Sequence, residues 1–261
     1  MNDPSIVFLM YHELELPGRP LCQNEAGYAR YVLPEPRFRE QIDYLRSNGW
    51  RGLSVGEALK FPAESCVAIT FDDGCETDLL AASPILKQAN FGATFFITSG
   101  RLGAPGFLSP AQVRELSSQG CEIGCHSMTH PYLTDLDEGG LRREICDSKA
   151  RLEQIIGKQV EHFSCPGGRY DNRVVAIARA AGYRSLSTST IQANSRSTDL
   201  FALGRVAMLR DISLNSFAAI CAGTSLSRMQ RSSALRETAK RLLGNSLYDS
   251  LRSLVLGKGP Q

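Results

Sequence analysis

The feature that most constrains this chain is a repeated alternation of apolar runs of strand length with stretches that carry the 3.6-residue period of an amphipathic helix. The runs Ser5–Tyr11, Cys66–Phe71, Ala93–Thr98, Cys121–Cys125, Val160–Ser164, Arg184–Ser187 and Ala202–Met208 read as strands. Helical patterns cover Glu35–Asn48, Asp78–Ala89, Pro110–Gln119, Gly140–Ile156, Arg173–Ala181 and Leu214–Ala222. Strand and helix in regular turn build parallel sheets, because a parallel neighbour needs a crossover long enough to hold a helix. Several helices stop at glycine, in Asn48-Gly49, Gln119-Gly120, Ile156-Gly157 and Ala181-Gly182, where a left-handed C-cap is tolerated. Seven strands are one short of a full eight-fold barrel. The pattern predicts an α/β fold, a distorted (β/α)7-type barrel over 1–223, with a C-terminal helical extension over 224–261.

With 43% hydrophobic and 21% charged residues, 261 residues can bury one large core without a linker-bounded second domain. A formal net charge of +2 makes no electrostatic case for nucleic acid, which is not expected as a partner. The start MNDPSIVFLMYHELE is acidic with a short apolar run, where a secretory leader has a basic lead and a longer one, so no leader and no transmembrane helix are expected. Cys22, Cys66, Cys75, Cys121, Cys125, Cys146, Cys165 and Cys221 form no C-x-x-C pair, and several fall in strands. They read as reduced, buried thiols, which fits a cytoplasmic protein.

Polar motifs gather just past three strand ends, where α/β folds put their chemistry. The first is Ile69-Thr70-Phe71-Asp72-Asp73-Gly74, two carboxylates closing a hydrophobic strand. Adjacent side chains on a strand diverge, so one aspartate suits a metal ion and the other suits proton transfer; taken alone, the pair equally suits a turn or a helix cap. The second is Gly124-Cys125-His126-Ser127-Met128-Thr129-His130-Pro131. Histidines at i and i+4 share one face of a helical turn and can converge on one divalent ion, and Pro131 ends that turn at His130. Surface or capping histidines would have the same spacing. Beside a strand-end carboxylate, however, the pair completes a facial triad with open positions for water and substrate. The third, Phe163-Ser164-Cys165-Pro166-Gly167-Gly168-Arg169-Tyr170, runs a strand into a glycine-rich turn. Its N–H groups can approach a developing oxyanion, although Pro-Gly-Gly by itself is also an ordinary loop.

In the order T-F-D-D-G, H-S-x-x-H, proline–glycine loop, over roughly residues 5–220, the chain resembles the polysaccharide deacetylase family, the NodB-homology or carbohydrate esterase family 4 domain. The resemblance implies a distorted (β/α) barrel, Asp72 as catalytic base, and Asp73, His126 and His130 as ligands of a divalent metal, with Zn2+ expected. Two departures stand out. Many members carry, in the third motif, an arginine that orients the catalytic aspartate; here Ser164 and Cys165 occupy that stretch, and the role is vacant or falls to a residue such as Arg205. Many also have a late histidine as general acid, and this chain has none after His162. Met10-Tyr11-His12-Glu13 looks like the early Y-H element of the poly-β-1,6-N-acetylglucosamine deacetylase branch, in which an early histidine takes the acid role. First and last strand ends adjoin in a closed barrel, so His12 is expected to fill that position, with strand-end capping as the alternative. His162, inside a strand, reads as structural. Substrate contacts are expected from Pro166, Gly167, Gly168, Tyr170 and Arg205.

The expected activity is metal-dependent hydrolysis of N-acetyl groups from an N-acetylated amino-sugar glycan, releasing acetate. A glycan-binding module without catalysis would have little need of Asp72 beside a complete triad. A metal-dependent amidase acting on a non-sugar amide would use the same residues. In 224–261, seven basic residues oppose Glu237 and Asp249, and leucines recur at helical spacing. Such a segment suits peripheral contact with an anionic membrane, or packing on the barrel or another subunit. A precursor glycan at the inner face of the membrane would reconcile a cytoplasmic enzyme with a polymer substrate.

Overall fold

A computed structural model describes residues 5–23, 27–61 and 65–232. Its strands are β1 (Ile6–Tyr11), β2 (Leu14–Glu15), β3 (Leu33–Pro34), β4 (Arg51–Leu53), β5 (Cys66–Phe71), β6 (Thr94–Ile97), β7 (Glu122–Cys125), β8 (His162–Ser164), β9 (Ser185–Ser187), β10 (Ala193–Asn194) and β11 (Val206–Ala207). The helices are α1 (Glu35–Ser47), α2 (Val55–Ala58), α3 (Ser83–Ala89), α4 (Pro110–Ser118), α5 (Glu138–Arg142), α6 (Ser148–Ile156), α7 (Asn172–Ala180) and α8 (Leu214–Cys221). Parallel pairing runs β1-β5-β6-β7-β8-β9, and β11 lies parallel to the end of β1 through Leu9↔Val206 and Met10↔Ala207. A single parallel bridge, Ser187↔Leu203, joins β9 to the stretch leading into β11. The ring is therefore a distorted seven-fold barrel, as the alternation predicts.

Three details were not legible in that alternation. β4 pairs with the first half of β5, and β10 runs antiparallel along the start of β1. The expected last strand, Ala202–Met208, shrinks to Val206–Ala207. The backbone of Gly204 is taken by a side chain, the Asn194 amide, which donates to Gly204 O at 2.9 Å and accepts from Gly204 N at 2.8 Å. With those groups engaged, no strand neighbour can pair there.

Side-chain alternation sorts the barrel into two faces. Outward residues Val67, Ile69 and Phe71 pack with Leu9, Tyr11, Phe95 and the helices in one continuous core. The inward face is mixed: Phe8, Ala68 and Phe96 belong to a separate apolar cluster, while Thr70 and Asp72, Gly124 and His126, and His162 and Ser164 are small or polar. Gly124 is dictated by Phe96, whose ring would lie 2.3 Å from any added Cβ. At the opposite end of the barrel, His162 donates to or accepts from Ser185 Oγ at 2.8 Å near Glu122, a structural position as expected. The four glycines expected as C-caps all have positive φ.

The predicted helix over Gly140–Ile156 begins earlier, at Glu138, capped by Asp137, and contains a π-turn at Arg143–Asp147. A second π-turn, Asp78–Ala82, precedes α3. Five cysteines are buried, while Cys22, Cys121 and Cys146 are partly exposed, which departs from the expectation of uniformly buried thiols. Helix resumes at 226, and nearly all of the expected extension over 224–261 lies outside the described residues, which end at 232. Among the described residues no helix is long and apolar enough to cross a membrane.

Candidate active site

The site is built at the C-terminal ends of the parallel strands. Asp72 follows β5 on the inward face, and Arg205, just before β11, reaches across to it. The guanidinium binds the carboxylate as a fork, Nη1 to Oδ1 at 2.7 Å and Nη2 to Oδ2 at 2.8 Å. Its remaining donors end on Thr70 Oγ1, Ser164 Oγ and the Thr188 carbonyl at 3.2, 2.8 and 3.0 Å. Every guanidinium N–H is thereby satisfied, the condition under which a buried ion pair can offset its desolvation cost. Burial works to raise the Asp72 carboxyl, but Arg205 and then His126 more than offset it and hold the group well below the usual carboxylate range. Arg205 is 1% exposed. It lines the cavity of the site and grips Asp72, the orienting role that the sequence left open for it.

Asp73, His126 and His130 converge. Asp73 Oδ1 stands 3.7 Å from His126 Nε2 and 3.4 Å from His130 Nε2. The other carboxylate oxygen, Oδ2, accepts from Gln23 Nε2 at 2.8 Å, whereas Oδ1 is buried with no hydrogen-bond partner among the described residues. His126 Nδ1 lies 2.9 Å from the Ser164 carbonyl. A carbonyl only accepts, so Nδ1 carries the proton and Nε2 keeps its lone pair toward Asp73. Burial, reinforced by His130 and opposed by Asp72 and Asp73, brings the His126 imidazole down to about 4. A neutral imidazole aimed at an orphaned carboxylate oxygen is what a divalent cation requires, and the three ligand atoms lie within 4.8 Å of one another.

The expected helical turn at His126–His130 is not formed. Ser127 and His130 have φ of 64° and 68°, and Asp73 has 80°. Left-handed backbone at non-glycine residues is costly and here concentrates at the site, held by surrounding contacts. Ser127 Oγ accepts from His130 N at 3.0 Å, and the 127 and 128 carbonyls accept from Ser99 N and Gly100 N. Glu144, on the π-turn between α5 and α6, accepts from Met128 N and Thr129 N at 2.9 and 2.8 Å and from Thr129 Oγ1 at 2.7 Å. A tight loop, fastened from two sides, brings the imidazoles together instead of a helix face.

These groups line a cavity of about 720 Å³ together with His12, Gln23, Tyr28, Arg30, Tyr31, Tyr132, Gly167, Gly168 and Ser189. His12 packs on Tyr31 with ring centroids 4.9 Å apart, and its buried Nδ1 has no partner among the described residues. Of the expected third-motif contacts, Gly167 and Gly168 line the cavity, Pro166 is buried and Tyr170 is an exposed residue outside the lining. Gly168 N and Arg169 N already bond within the loop, to Cys165 O and Pro166 O, and so are not free oxyanion donors. Gln23, Glu144 and the tyrosine walls carried no motif by which the sequence would reveal them.

Residues 60–186 match the family model described as polysaccharide deacetylase. The chain is 31% identical over 217 residues to the protein YxkH of Bacillus subtilis (strain 168), covering 81% of this chain and 74% of that protein. It is 27% identical over 188 residues to the poly-beta-1,6-N-acetyl-D-glucosamine N-deacetylase of Staphylococcus aureus (strain MRSA252), covering 63% of this chain and 64% of that one. In fold it is similar to the Streptococcus pyogenes deacetylase PplD solved with acetate, with a TM-score of 0.75 at 24% identity, over 84% of this chain and 99% of that one. On these grounds the chain belongs to the polysaccharide deacetylase family.

Proposed function

We propose that this protein hydrolyses the acetamide of an N-acetylated amino-sugar glycan, releasing acetate and a free amine. The observation that carries the reading is the pairing of two differently set aspartates: Asp73, with an orphaned oxygen facing two imidazoles, and Asp72, gripped by Arg205. A divalent cation held by Asp73, His126 and His130, for which zinc is the proposed ion, would polarise the acetamide carbonyl and acidify a water at neutral pH. Asp72, ionised well into the acid range, takes the proton from the attacking water, and Arg205 and Ser164 keep its oxygens aimed. His12 protonates the departing amine from its place in the same cavity. Tyr31 and Tyr132 line the cavity, and about 720 Å³ is ample for a sugar residue with its neighbours.

The test is acetate release from N-acetylglucosamine oligomers by the full chain, with metal analysis on the same samples. Asp72→Asn is expected to lose about 10²–10⁴-fold in turnover while keeping its metal, and His126→Ala or His130→Ala to lose the metal. Near-normal turnover by Asp72→Asn would move the base role elsewhere. Oligomer binding without acetate release would make the protein a binding module, and release only from non-sugar amides would make it an amidase.

The proposed place of work is the cytoplasmic face of the membrane, on a precursor glycan in exopolysaccharide synthesis. The support is the basic composition of 224–261, worth on the order of 1 kcal/mol per lysine or arginine near anionic lipid. Salt-sensitive co-sedimentation with anionic liposomes should be lost in a chain ending at Gly223; equal binding by both, or by neither, removes the membrane role.

A further inference from the structure

Two residues beyond Asp73, the fully buried Cys75 places its Sγ 2.7 Å from Sγ of Cys22, 53 positions earlier in the chain. Non-bonded heavy atoms settle at roughly 3.5 Å or more, and a covalent S–S bond is about 2.05 Å. The pair stands between the two. Glu13 brings a carboxylate within reach of both sulfurs, so the trio also has the composition of a cation site. Tetrahedral thiolates at ~2.3 Å from a shared zinc would lie about 3.8 Å apart, however, which is about an ångström farther than these sulfurs. Glu13 is also engaged: both of its oxygens accept from Cys22 N, at 3.0 and 3.1 Å.

Contacts that do not involve sulfur fix both backbones. A Cβ on Gly106 would lie 2.8 Å from Cys22 Cβ, so the chain at 106 is pressed directly against Cys22. Cys75 forms an antiparallel bridge with Phe107, and Glu76 N donates to Gly106 O at 2.8 Å. The Tyr28 hydroxyl covers the pair, 3.1 Å from Cys22 Sγ.

We propose that Cys22 and Cys75 are an oxidative modification site and join in a disulfide by exchange with a low-molecular-weight or protein disulfide. Cys22, partly exposed, attacks one sulfur of the incoming disulfide and releases its first half as a thiol. Cys75 then attacks Cys22 Sγ, forms the Cys22–Cys75 bond and releases the second half. The two cysteine thiols are oxidised, the external disulfide is reduced, and the two protons leave on the two released thiols. The bond lies one residue from Gln23, whose amide donates to Asp73 Oδ2 and accepts from Arg101 Nη1 at 2.9 Å. It therefore pins Gln23 against Asp73. The bond itself does not depend on the deacetylase reading; the effect on Asp73 does.

The full chain is equilibrated with glutathione disulfide, alkylated with iodoacetamide, digested without reductant and mapped by mass spectrometry. The expected product links the Cys22 and Cys75 peptides and is lost on treatment with dithiothreitol. Oxidised protein should melt roughly 5–10 °C above reduced protein, a difference abolished in Cys22→Ser and in Cys75→Ser. Cys75→Ser should stop at a glutathione adduct on Cys22. The same arrested adduct in the unmodified chain, alkylation of both cysteines, or zinc-dependent protection of both without a cross-link would each overturn the proposal.

Discussion

Arg205 and Asp72 lie 133 positions apart in the chain and meet through two parallel charge-assisted hydrogen bonds of 2.7 and 2.8 Å, with both side chains out of water. Such a fork fixes the direction of both carboxylate oxygens as well as their charge.

Arg205→Lys keeps a positive charge but loses the fork, and Arg205→Met leaves Asp72 buried and unpaired, at a cost of about 3–5 kcal/mol. Both should lower kcat, by on the order of 10–100-fold for lysine, with KM little changed and metal retained. Without Arg205 the Asp72 carboxyl rises, so the acid limb of the pH–rate profile should move to higher pH. An unmoved limb would show that Arg205 does not govern Asp72.

Glu144 is the buried anchor of the loop that presents both histidines. Glu144→Gln replaces one accepting oxygen with a donor that faces backbone N–H groups. Metal affinity, titrated against a competing chelator, should fall about 10–100-fold with the circular dichroism spectrum unchanged. Equal affinity would mean that the contacts from Ser99 and Gly100 suffice.

In chelator-treated protein the stability contributed by neutral His126 has a defined pH window. Its folded value is about 4, against about 6.5 in an unfolded chain, so between the two only the unfolded state takes up the proton. The contribution is full above about 6.5 and lost as pH falls toward 4, on the order of 3 kcal/mol in all. Urea midpoints at several pH values should show this slope, and His126→Asn should flatten it. An identical slope in the variant would assign the loss to other groups.

Asp78 titrates in the opposite sense. Both of its carboxyl oxygens are buried without a hydrogen-bond partner among the described residues, and burial, then Asp73, Glu13 and Asp72, push its carboxyl well up. A raised carboxyl favours the fold below its unfolded value and weakens it as pH rises toward the folded one. Asp78→Asn should gain stability over the native chain by about 1.4 kcal/mol per pH unit across that window, read as a melting-temperature difference that widens with pH. A constant or negative difference would mean that the carboxyl is satisfied in solution.

The sequence by itself determined the barrel and the end of it where chemistry occurs. Strand and helix periods are local properties, and alternation along β5, β7 and β8 already assigns Thr70, Asp72, Gly124, His126 and Ser164 to the inner face. Only the tertiary structure decided which inner residues touch. The fork from Arg205 to Asp72, the anchor from Glu144 to the histidine loop and the approach of Cys22 to Cys75 each join segments separated by 133, 15 to 16 and 53 positions. The first depends on how the ring closes, and the other two on how the loops past neighbouring strand ends fold against one another. The missing arginine of the third motif could not be reassigned from spacing alone, because closure through Ser187↔Leu203 and β11 on β1 brings Arg205 beside β5. The histidine spacing suggested a helical turn for the same reason: i and i+4 describe one face only if the backbone is helical, and at Ser127 and His130 the surrounding contacts impose a left-handed turn that no local propensity favours.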